Sequence, residues 1–211
     1  MRFMRSERVI AYIDGFNLYH GLCDARLESS RWLDLHGVCE SLLKPHQHLV
    51  LVRYFTSMVR NKPRAASRQS VYIDALRSRG GIEIDFGHRL SKTVTCSRCG
   101  FVHSTSVEKK TDVNIAVRLL EDAYDDRFDV ALVISADSDL APPIEAVRRR
   151  FAGKTLLAAA PPARWSSELK RVAHATVKIS PSAIRQNRLP DPVITPNGKQ
   201  LRAPAGWLPS P

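Results

Sequence analysis

Short apolar runs that alternate with helix-like segments constrain the fold of this chain more than any other feature. The clearest run is Val130–Ile134, in which every residue is apolar, and Val9–Ile13 and Leu49–Thr56 have a similar character. Strands that are buried on both faces have this composition, and parallel neighbours need a crossover helix between them. The pattern therefore predicts an α/β protein with three α/β/α layers and a doubly wound, mainly parallel sheet.

Periodicity and terminal residues place the individual elements along the chain. The predicted strands cover residues 9–13, 49–56, 82–86, 130–134, 155–159 and 176–179. The predicted helices cover residues 16–23, 34–43, 63–79, 111–124, 140–150 and 166–173. Residues 87–107 break the alternation and contain a Cys-x-x-Cys pair between Thr-, Val- and Ser-rich stretches, which predicts an inserted hairpin.

The end of the chain differs in composition from the rest. Residues 181–211 hold seven of the thirteen prolines and have little periodicity. We therefore expect one domain over residues 1–180 and a Pro-rich C-terminal extension over 181–211. Such an extension is either disordered or laid along the surface of the domain.

Net charge indicates the class of partner. The formal net charge is +11 and the predicted pI is near 9.9. Residues 181–211 carry a net +3, so +8 belongs to residues 1–180 and the expected domain is itself basic. This balance favours a polyanionic partner, nucleic acid before an anionic membrane, although a basic protein without such a partner can have the same composition.

Several classes of protein do not fit the sequence. The longest apolar run is far shorter than the roughly 20 residues that a membrane span needs. The basic N-terminus leads directly into a strand-like segment without a small-residue cleavage site, so no signal peptide is predicted. Four cysteines at this length do not form a secreted disulfide framework. We expect a cytoplasmic protein with no membrane partner, and a homodimer remains open.

Acidic residues follow two of the predicted parallel strands. Asp14 comes directly after the first strand, and Asp137 and Asp139 come directly after Val130–Ile134. Ligands of such sheets bind beyond the carboxyl ends of the strands, so these acids are expected at one rim. Asp112 lies in the first turn of a helix, on the face that carries the apolar stripe. Three segments are therefore predicted to bring carboxylates to one place.

Each acid alone has a simpler explanation. Asp14 and Asp139 have the position of helix N-caps, and Asp112 has a favourable place near a helix dipole. Together they are harder to explain in this way, because converging carboxylates repel one another unless a cation neutralises them. Hard oxygen ligands suit Mg²⁺ or Mn²⁺ rather than a soft metal.

Three motifs carry a resemblance to a known family. Residues 12–17 (YIDGFN) resemble the opening motif of NYN domains, bacterial relatives of the PIN nucleases. Residues 108–116 (EKKTDVNIA) and 134–140 (ISADSDL) resemble the second and third motifs, and the likeness covers roughly residues 8–180. Ala136 stands where the family pattern has glycine, which is a change of one small residue for another.

The resemblance implies a function and roles for individual residues. Asp14, Asp112 and Asp137 would hold Mg²⁺ or Mn²⁺, with Asp139 in or beside the shell and Asn17 orienting a ligand or a bound water. A metal in such a site lowers the pKa of water and neutralises charge on the leaving oxygen of a phosphodiester. The chain is thus predicted to be a PIN-like endoribonuclease that acts on RNA.

The predicted hairpin holds half of a possible zinc site. Cys96 and Cys99 have the spacing of two zinc ligands, and His88 and His103 are the nearest candidates for the others. The alternative is a pair of reduced thiols without metal.

Basic residues lie in or beside the hairpin, next to the second motif. They are candidates for holding RNA phosphates, and the alternative for each is a solvated charge. These residues are Lys92, Arg98, Lys109 and Lys110.

Three other functions are compatible with parts of this pattern. A Toprim-type nuclease also places Asp-x-Asp after a strand, but it needs a glutamate after the first strand, where this chain has Asp14. A non-catalytic RNA-binding or adaptor protein on the same fold is the main alternative from another class, and a metal-dependent phosphatase is a third. Tyr12, Phe16 and Tyr19 are candidates for stacking on a base, although their positions favour the core for Tyr12 and Phe16.

Overall fold

A six-stranded parallel sheet forms the centre of the molecule. The computed structural model describes residues 6–60, 62–95 and 97–209, and for residues 88–95 and 103–109 it describes the backbone. The strands are β1 (Glu7–Asp14), β2 (Gln47–Thr56), β3 (Ile82–Phe86), β4 (His88–Thr95), β5 (Val102–Lys109), β6 (Val130–Ile134), β7 (Thr155–Ala160), β8 (Ala175–Lys178), β9 (Val193–Ile194) and β10 (Gln200–Leu201). The helices are α1 (Gly15–Asp24), α2 (Leu35–Glu40), α3 (Pro63–Arg79), α4 (Thr111–Tyr124), α5 (Ala141–Arg150), α6 (Ser167–Val172) and α7 (Pro181–Gln186).

The strand order creates a crevice at the middle of the sheet. The order is β3-β2-β1-β6-β7-β8, and every pairing in this sheet is parallel. The chain moves outward from β1 in one direction and from β6 in the other. The predicted doubly wound three-layer fold is confirmed, and its switch point lies between β1 and β6, where folds of this kind bind ligands.

Alternation along β1 divides the core between the two faces of the sheet. Val9, Ala11 and Ile13 face one hydrophobic cluster, which α1, α2 and α3 complete. Ile10 and Tyr12 face the other, which α4, α5 and α6 complete. Because successive side chains of a strand point to opposite faces, one fully apolar strand holds helical layers on both sides. Tyr12 is accordingly a core residue, as its strand position predicted.

A buried ion pair fixes α4 against the sheet. The Arg53 guanidinium donates to both carboxylate oxygens of Asp122, from Nε at 2.7 Å and from a terminal nitrogen at 2.9 Å. The Tyr12 hydroxyl donates to the same carboxylate at 2.7 Å. Arg53 and Asp122 are both about 98% buried or more, and removing one partner of such a pair leaves a buried charge at a cost of about 3–5 kcal/mol. The network links β1, β2 and α4, so it sets the position of the whole helix.

The inserted hairpin forms a separate two-stranded sheet. β4 and β5 pair antiparallel, with His88 opposite Lys109 and Thr95 opposite Val102. The predicted hairpin is thus present, and it continues two residues beyond the predicted end at 107. Lys110 alone separates it from α4, so the hairpin directly adjoins the first turn of that helix.

The C-terminal extension packs against the domain. It forms α7 and the short antiparallel pair β9–β10, and it places Ile184, Leu189 and Trp207 in the core cluster beside α1, α2 and α3. The Trp32 indole Nε1 donates to the Pro190 carbonyl oxygen at 2.8 Å. Of the two expected alternatives, disorder is wrong for residues 181–209. These apolar residues are single contacts between turns, so they form no periodic pattern along the chain.

The ends of the predicted helices lie within one residue of the prediction, except at the end of α2. That helix ends at Glu40 rather than at residue 43, because Ser41, Leu42 and Leu43 continue as turns whose amides donate to carbonyls near the helix end. Within the described ranges, no helix has both the length and the apolar character that crossing a membrane requires.

Candidate active site

Asp14 is held at the carboxyl end of the central strand. Asp14 is only 5% exposed. Its side chain caps α1 by accepting a hydrogen bond from the backbone N–H of Asn17 at 3.0 Å. The other carboxylate oxygen accepts from the Ser135 hydroxyl at 3.0 Å. Asp14 is therefore a helix N-cap, and it also contacts the loop after β6.

Gly15 permits the tight start of α1. A Cβ atom there would lie 2.7 Å from the Phe55 carbonyl oxygen and 2.7 Å from the Tyr54 ring. Contacts this short do not occur, so any side chain would push α1 away from β2. The glycine thus keeps Asp14 at the rim while the chain turns directly into the helix.

The loop after β6 is pinned to the same rim by side-chain contacts. The Asn17 amide oxygen accepts from the Ala136 backbone N–H at 3.1 Å, and the Ser135 hydroxyl oxygen accepts from the Asp137 N–H at 3.0 Å. One carboxylate oxygen of Asp137 accepts from the Asp139 N–H at 3.0 Å. Asn17 therefore connects α1 to this loop and sets where Asp137 lies.

Asp112 enters the site from the first turn of α4. Lys110, immediately before the helix, has a left-handed backbone conformation (φ 77°) that turns the chain from the hairpin into α4. The pKa of Asp112 is raised from 3.8 to about 6, chiefly by burial and then by the negative charges of Asp14, Asp137 and Asp139. These acids are therefore close enough to interact electrostatically.

A cavity of about 200 Å³ brings these residues together. Its lining contains Asp14, Asn17, Lys110, Asp112 and Asp137, all of which were singled out from the sequence. Asp139 is exposed and does not line the cavity, although its charge acts on Asp112.

Three further lining residues were not identified from the sequence. His20 lies one turn after Asn17 on α1, and Thr111 precedes Asp112. Arg164 arrives from the loop after β7 and donates to the Asp24 carboxylate at 2.8 Å and 3.1 Å. Arg164 could have been found from its position, because it is a basic residue in the loop after β7 and that loop also lies at the carboxyl rim of the sheet.

The oxygen atoms at the acid cavity suit a hard divalent cation, but the described side chains are not grouped as closely as in a coordination shell. Within the part of the chain that the structure describes, no three His, Cys, Asp or Glu side chains are grouped closely enough to hold a metal ion. The donors at the cavity are carboxylate and amide oxygens, which are the ligands that Mg²⁺ and Mn²⁺ prefer. Ionised carboxylates repel one another, so the neighbouring acids are, after burial, the second cause of the raised pKa of Asp112.

Several candidate residues of the hairpin have side chains that lie outside the described part of the structure. Arg98 and Cys99 are exposed at its tip and are not part of the acid cavity. Cys96 and the side chains of Lys92, Lys109, His88 and His103 lie outside what the structure describes, so the zinc site stays a prediction.

A second, larger cavity adjoins the first. It has a volume of about 740 Å³, and Phe16 and His20 line both cavities. Phe16 is only half-buried, so its expected place in the core is wrong, and Tyr19 is 41% exposed on the same helix. Both aromatic side chains line the larger cavity, and Phe16 also lines the acid cavity.

Comparisons with known proteins agree on the fold. The family model described as the NYN domain matches residues 8–180. A solved structure of a protein of unknown function from Vibrio parahaemolyticus has a TM-score of 0.60 and 21% identity, and the match covers 86% of this chain and 98% of that one. Among curated proteins, a 6-hydroxy-3-succinoylpyridine 3-monooxygenase from Pseudomonas putida is 27% identical over 67% of this chain. The chain spans about half of that relative, 55% of its length.

Proposed function

Because the chain belongs to the NYN domain family, we propose that it is a metal-dependent ribonuclease that hydrolyses RNA phosphodiester bonds at the acid cavity. The observation that carries the proposal is the convergence of Asp14, Asp112 and Asp137, from three separate elements, at the switch point of the sheet. Such a site in a chain with a net charge of +11 matches a polyanionic substrate. An enzyme that cuts within an RNA chain, an endoribonuclease, is the specific form we propose.

The acids have two tasks in this proposal. Asp14, Asp112 and Asp137, with Asp139 beside them, would hold Mg²⁺ or Mn²⁺, which supplies activation of a water molecule and neutralisation of charge on the phosphate. Asn17 is a positioning residue, since its side chain fixes the loop that carries Asp137. Ser135 similarly orients the Asp14 carboxylate through the hydrogen bond that it donates.

Basic residues at the cavity would hold the substrate. Lys110 is exposed at the cavity and Arg164 is half-buried there, so both can contact phosphates on either side of the scissile bond. Arg164 is held in place by Asp24, which reduces the conformational freedom that it loses on binding. Lys92, Arg98 and Lys109 are proposed to extend this basic surface along the hairpin.

The proposal is tested by measuring cleavage directly. Purified protein is incubated with a structured and an unstructured RNA in Mg²⁺, in Mn²⁺ and in EDTA. We expect cleavage with metal and none in EDTA. Cleavage that continues unchanged in EDTA would contradict metal dependence, and RNA binding without cleavage under every condition would identify the non-catalytic adaptor instead.

A second candidate activity comes from the name of the curated relative, which is that of a monooxygenase acting on a substituted pyridine. The larger cavity, with aromatic walls beside the acids, is the observation that favours it. Incubation with 6-hydroxy-3-succinoylpyridine, oxygen and a reduced electron donor tests this candidate. Product formed at a rate that Asp14→Asn abolishes would favour the oxygenase, and no product would remove it.

Replacement of Lys110 by alanine should weaken RNA binding for all sequences alike. Each phosphate contact contributes roughly −0.7 to the slope of log affinity against log salt concentration for a single strand, so the slope should flatten by about that amount. The measurement is a salt titration of binding in EDTA. Lys44→Ala is the matched control, because Lys44 is exposed and precedes β2 at the opposite rim of the sheet. A slope unchanged by Lys110→Ala would show that this lysine is only solvated.

A further inference from the structure

The larger cavity has the size of a binding site for a small molecule or a single nucleotide. It lies between α1, the carboxyl end of β2 and the start of α3, and its volume of about 740 Å³ is typical of ligand pockets. Because Phe16 and His20 line both cavities, a ligand in the larger one lies directly beside the acids. The position is therefore suited to a part of the substrate next to the reacting group.

The charge of the lining favours an anion. Its charged residues are Arg31, Arg60, Lys62 and Arg68, and none of the described lining residues is a carboxylate. Arg60, Lys62 and Arg68 are exposed, and the ion pairs of the described chain do not involve them. These three cationic side chains are thus available to a ligand in the larger cavity.

Arg31 is prepared for binding in a more specific way. Its guanidinium carbon lies 5.0 Å from the centre of the Tyr19 ring, and one terminal nitrogen donates to the Cys23 sulfur at 3.1 Å. Its Nε is buried and has no hydrogen-bond partner among the described residues. A buried donor without a partner is unfavourable, so an acceptor on a ligand would be stabilising at this position.

The aromatic lining favours a flat ring. Tyr19 exposes 41% of its surface, whereas Tyr54, Tyr72 and Trp207 are largely buried and form firm walls. The rings of Tyr72 and Trp207 are 5.7 Å apart at 71°, and the Tyr72 hydroxyl donates to the Leu33 carbonyl oxygen at 2.8 Å. Tyr19 is thus the most exposed aromatic ring of the described lining, while the C-terminal extension closes one wall through Trp207.

We propose that this cavity binds one unpaired nucleotide of the RNA next to the scissile phosphate, with the base against Tyr19 and a phosphate on Arg31 and Arg68. The inference rests on the proposed function, since it assigns the cavity to the same RNA that the acids would cut. A base within a duplex is stacked and paired and cannot enter such a pocket without being extruded. The cavity therefore selects single-stranded RNA.

Binding in EDTA tests the proposal without depending on cleavage. The full chain is titrated with a fluorescent single-stranded oligoribonucleotide and with a duplex of the same length. Tyr19→Ala should weaken binding of the single strand about 10-fold, because stacking on one aromatic ring contributes about that factor or more. The same substitution should leave duplex binding unchanged. Arg68→Ala should flatten the salt slope for the single strand by roughly 0.7.

Two substitutions far from the cavity serve as controls. Tyr124 is 64% exposed at the end of α4, and Arg149 is exposed in the last turn of α5. Tyr124→Ala and Arg149→Ala should keep the affinity of the wild type. Equal affinity of Tyr19→Ala and wild-type protein for the single strand would overturn the proposal, as would an equal loss for the duplex.

Free ligands distinguish a nucleotide site from a site for other heteroaromatic acids. The four nucleoside 5′-monophosphates should quench tryptophan fluorescence and compete with the oligoribonucleotide, and the quenching should disappear in Trp207→Phe. Nicotinate binding as tightly as the nucleotides would overturn the assignment in favour of a small free acid. Loss of single-strand binding in Tyr19→Ala, in a protein that never cleaves RNA, would support the nucleotide site and refute the nuclease. Cleavage of RNA by the wild type, with unchanged single-strand binding in Tyr19→Ala, would refute the nucleotide site alone.

Discussion

Asp14→Asn should reduce RNA cleavage about 100- to 1,000-fold while the protein stays folded. In the proposed mechanism the charge of Asp14 helps to hold the cation, and metal stabilisation of the transition state is worth several kcal/mol, with a factor of ten for each 1.36 kcal/mol. The side-chain oxygen of an asparagine at position 14 can still accept from the backbone N–H of Asn17 and cap α1. Its amide nitrogen can donate to the Ser135 hydroxyl oxygen, so the neighbouring loop should keep its place.

The measurement compares initial cleavage rates in saturating Mn²⁺ with RNA affinity and melting temperature. Asp125→Asn is the matched control, because Asp125 follows α4 at the end away from the cavity and loses the same charge. The control should cleave at the wild-type rate, and Asp14→Asn should bind RNA as the wild type does. A variant that keeps more than about a tenth of the rate would rule out a direct role of this carboxylate in catalysis.

Residues that follow a parallel strand were the most predictable part of the site. Asp14 and Asp137 lie where a strand ends at a rim, and the sheet topology alone brings such positions together. Asp112 was predictable for another reason, since its place at the head of the apolar stripe of α4 turns it towards the sheet. Local pattern and topology give the same answer for these three acids.

Other parts depend on contacts that sequence patterns do not encode. Arg164 reaches the cavity because Gly21 lets α1 approach the Pro161–Pro162 segment, where a Cβ atom would lie 2.8 Å from the Pro162 carbonyl oxygen. Trp207 enters the core as one isolated side chain after a series of turns. The larger cavity combines α1, α3 and this extension, so no single segment could have revealed it.

The raised pKa of Asp112 makes folding stability depend on pH. The pKa of Asp112 is raised from 3.8 to about 6 by burial and by the neighbouring acids. Between these pH values the folded protein retains a proton at Asp112 that the unfolded chain has released. The contribution of Asp112 to folding stability therefore falls as the pH rises from about 4 through 6, and its full loss is present at neutral pH.

Asp112→Asn should consequently stabilise the protein in EDTA at pH 7.5, although it should abolish metal-dependent cleavage. A shift of about 2 pK units corresponds to about 3 kcal/mol at most, and partial exposure and the lost helix-dipole interaction reduce this to about 1–2 kcal/mol. For a chain of this size the melting temperature should rise by about 2–8 °C. At pH 4 the difference from the wild type should nearly vanish, because Asp112 is then largely protonated in the folded protein.

Thermal unfolding at pH 4 and pH 7.5, with EDTA or with Mn²⁺, measures these effects together. Mn²⁺ should raise the melting temperature of the wild type at pH 7.5, because it binds the folded state and offsets the repulsion among the acids. It should have little effect on Asp112→Asn, which lacks one of the proposed ligands, and Asp125→Asn should respond as the wild type does. An Asp112→Asn protein that melts below the wild type in EDTA at pH 7.5 would show that this carboxylate stabilises the fold. The proposal that Asp112 lowers folding stability at neutral pH would then be wrong.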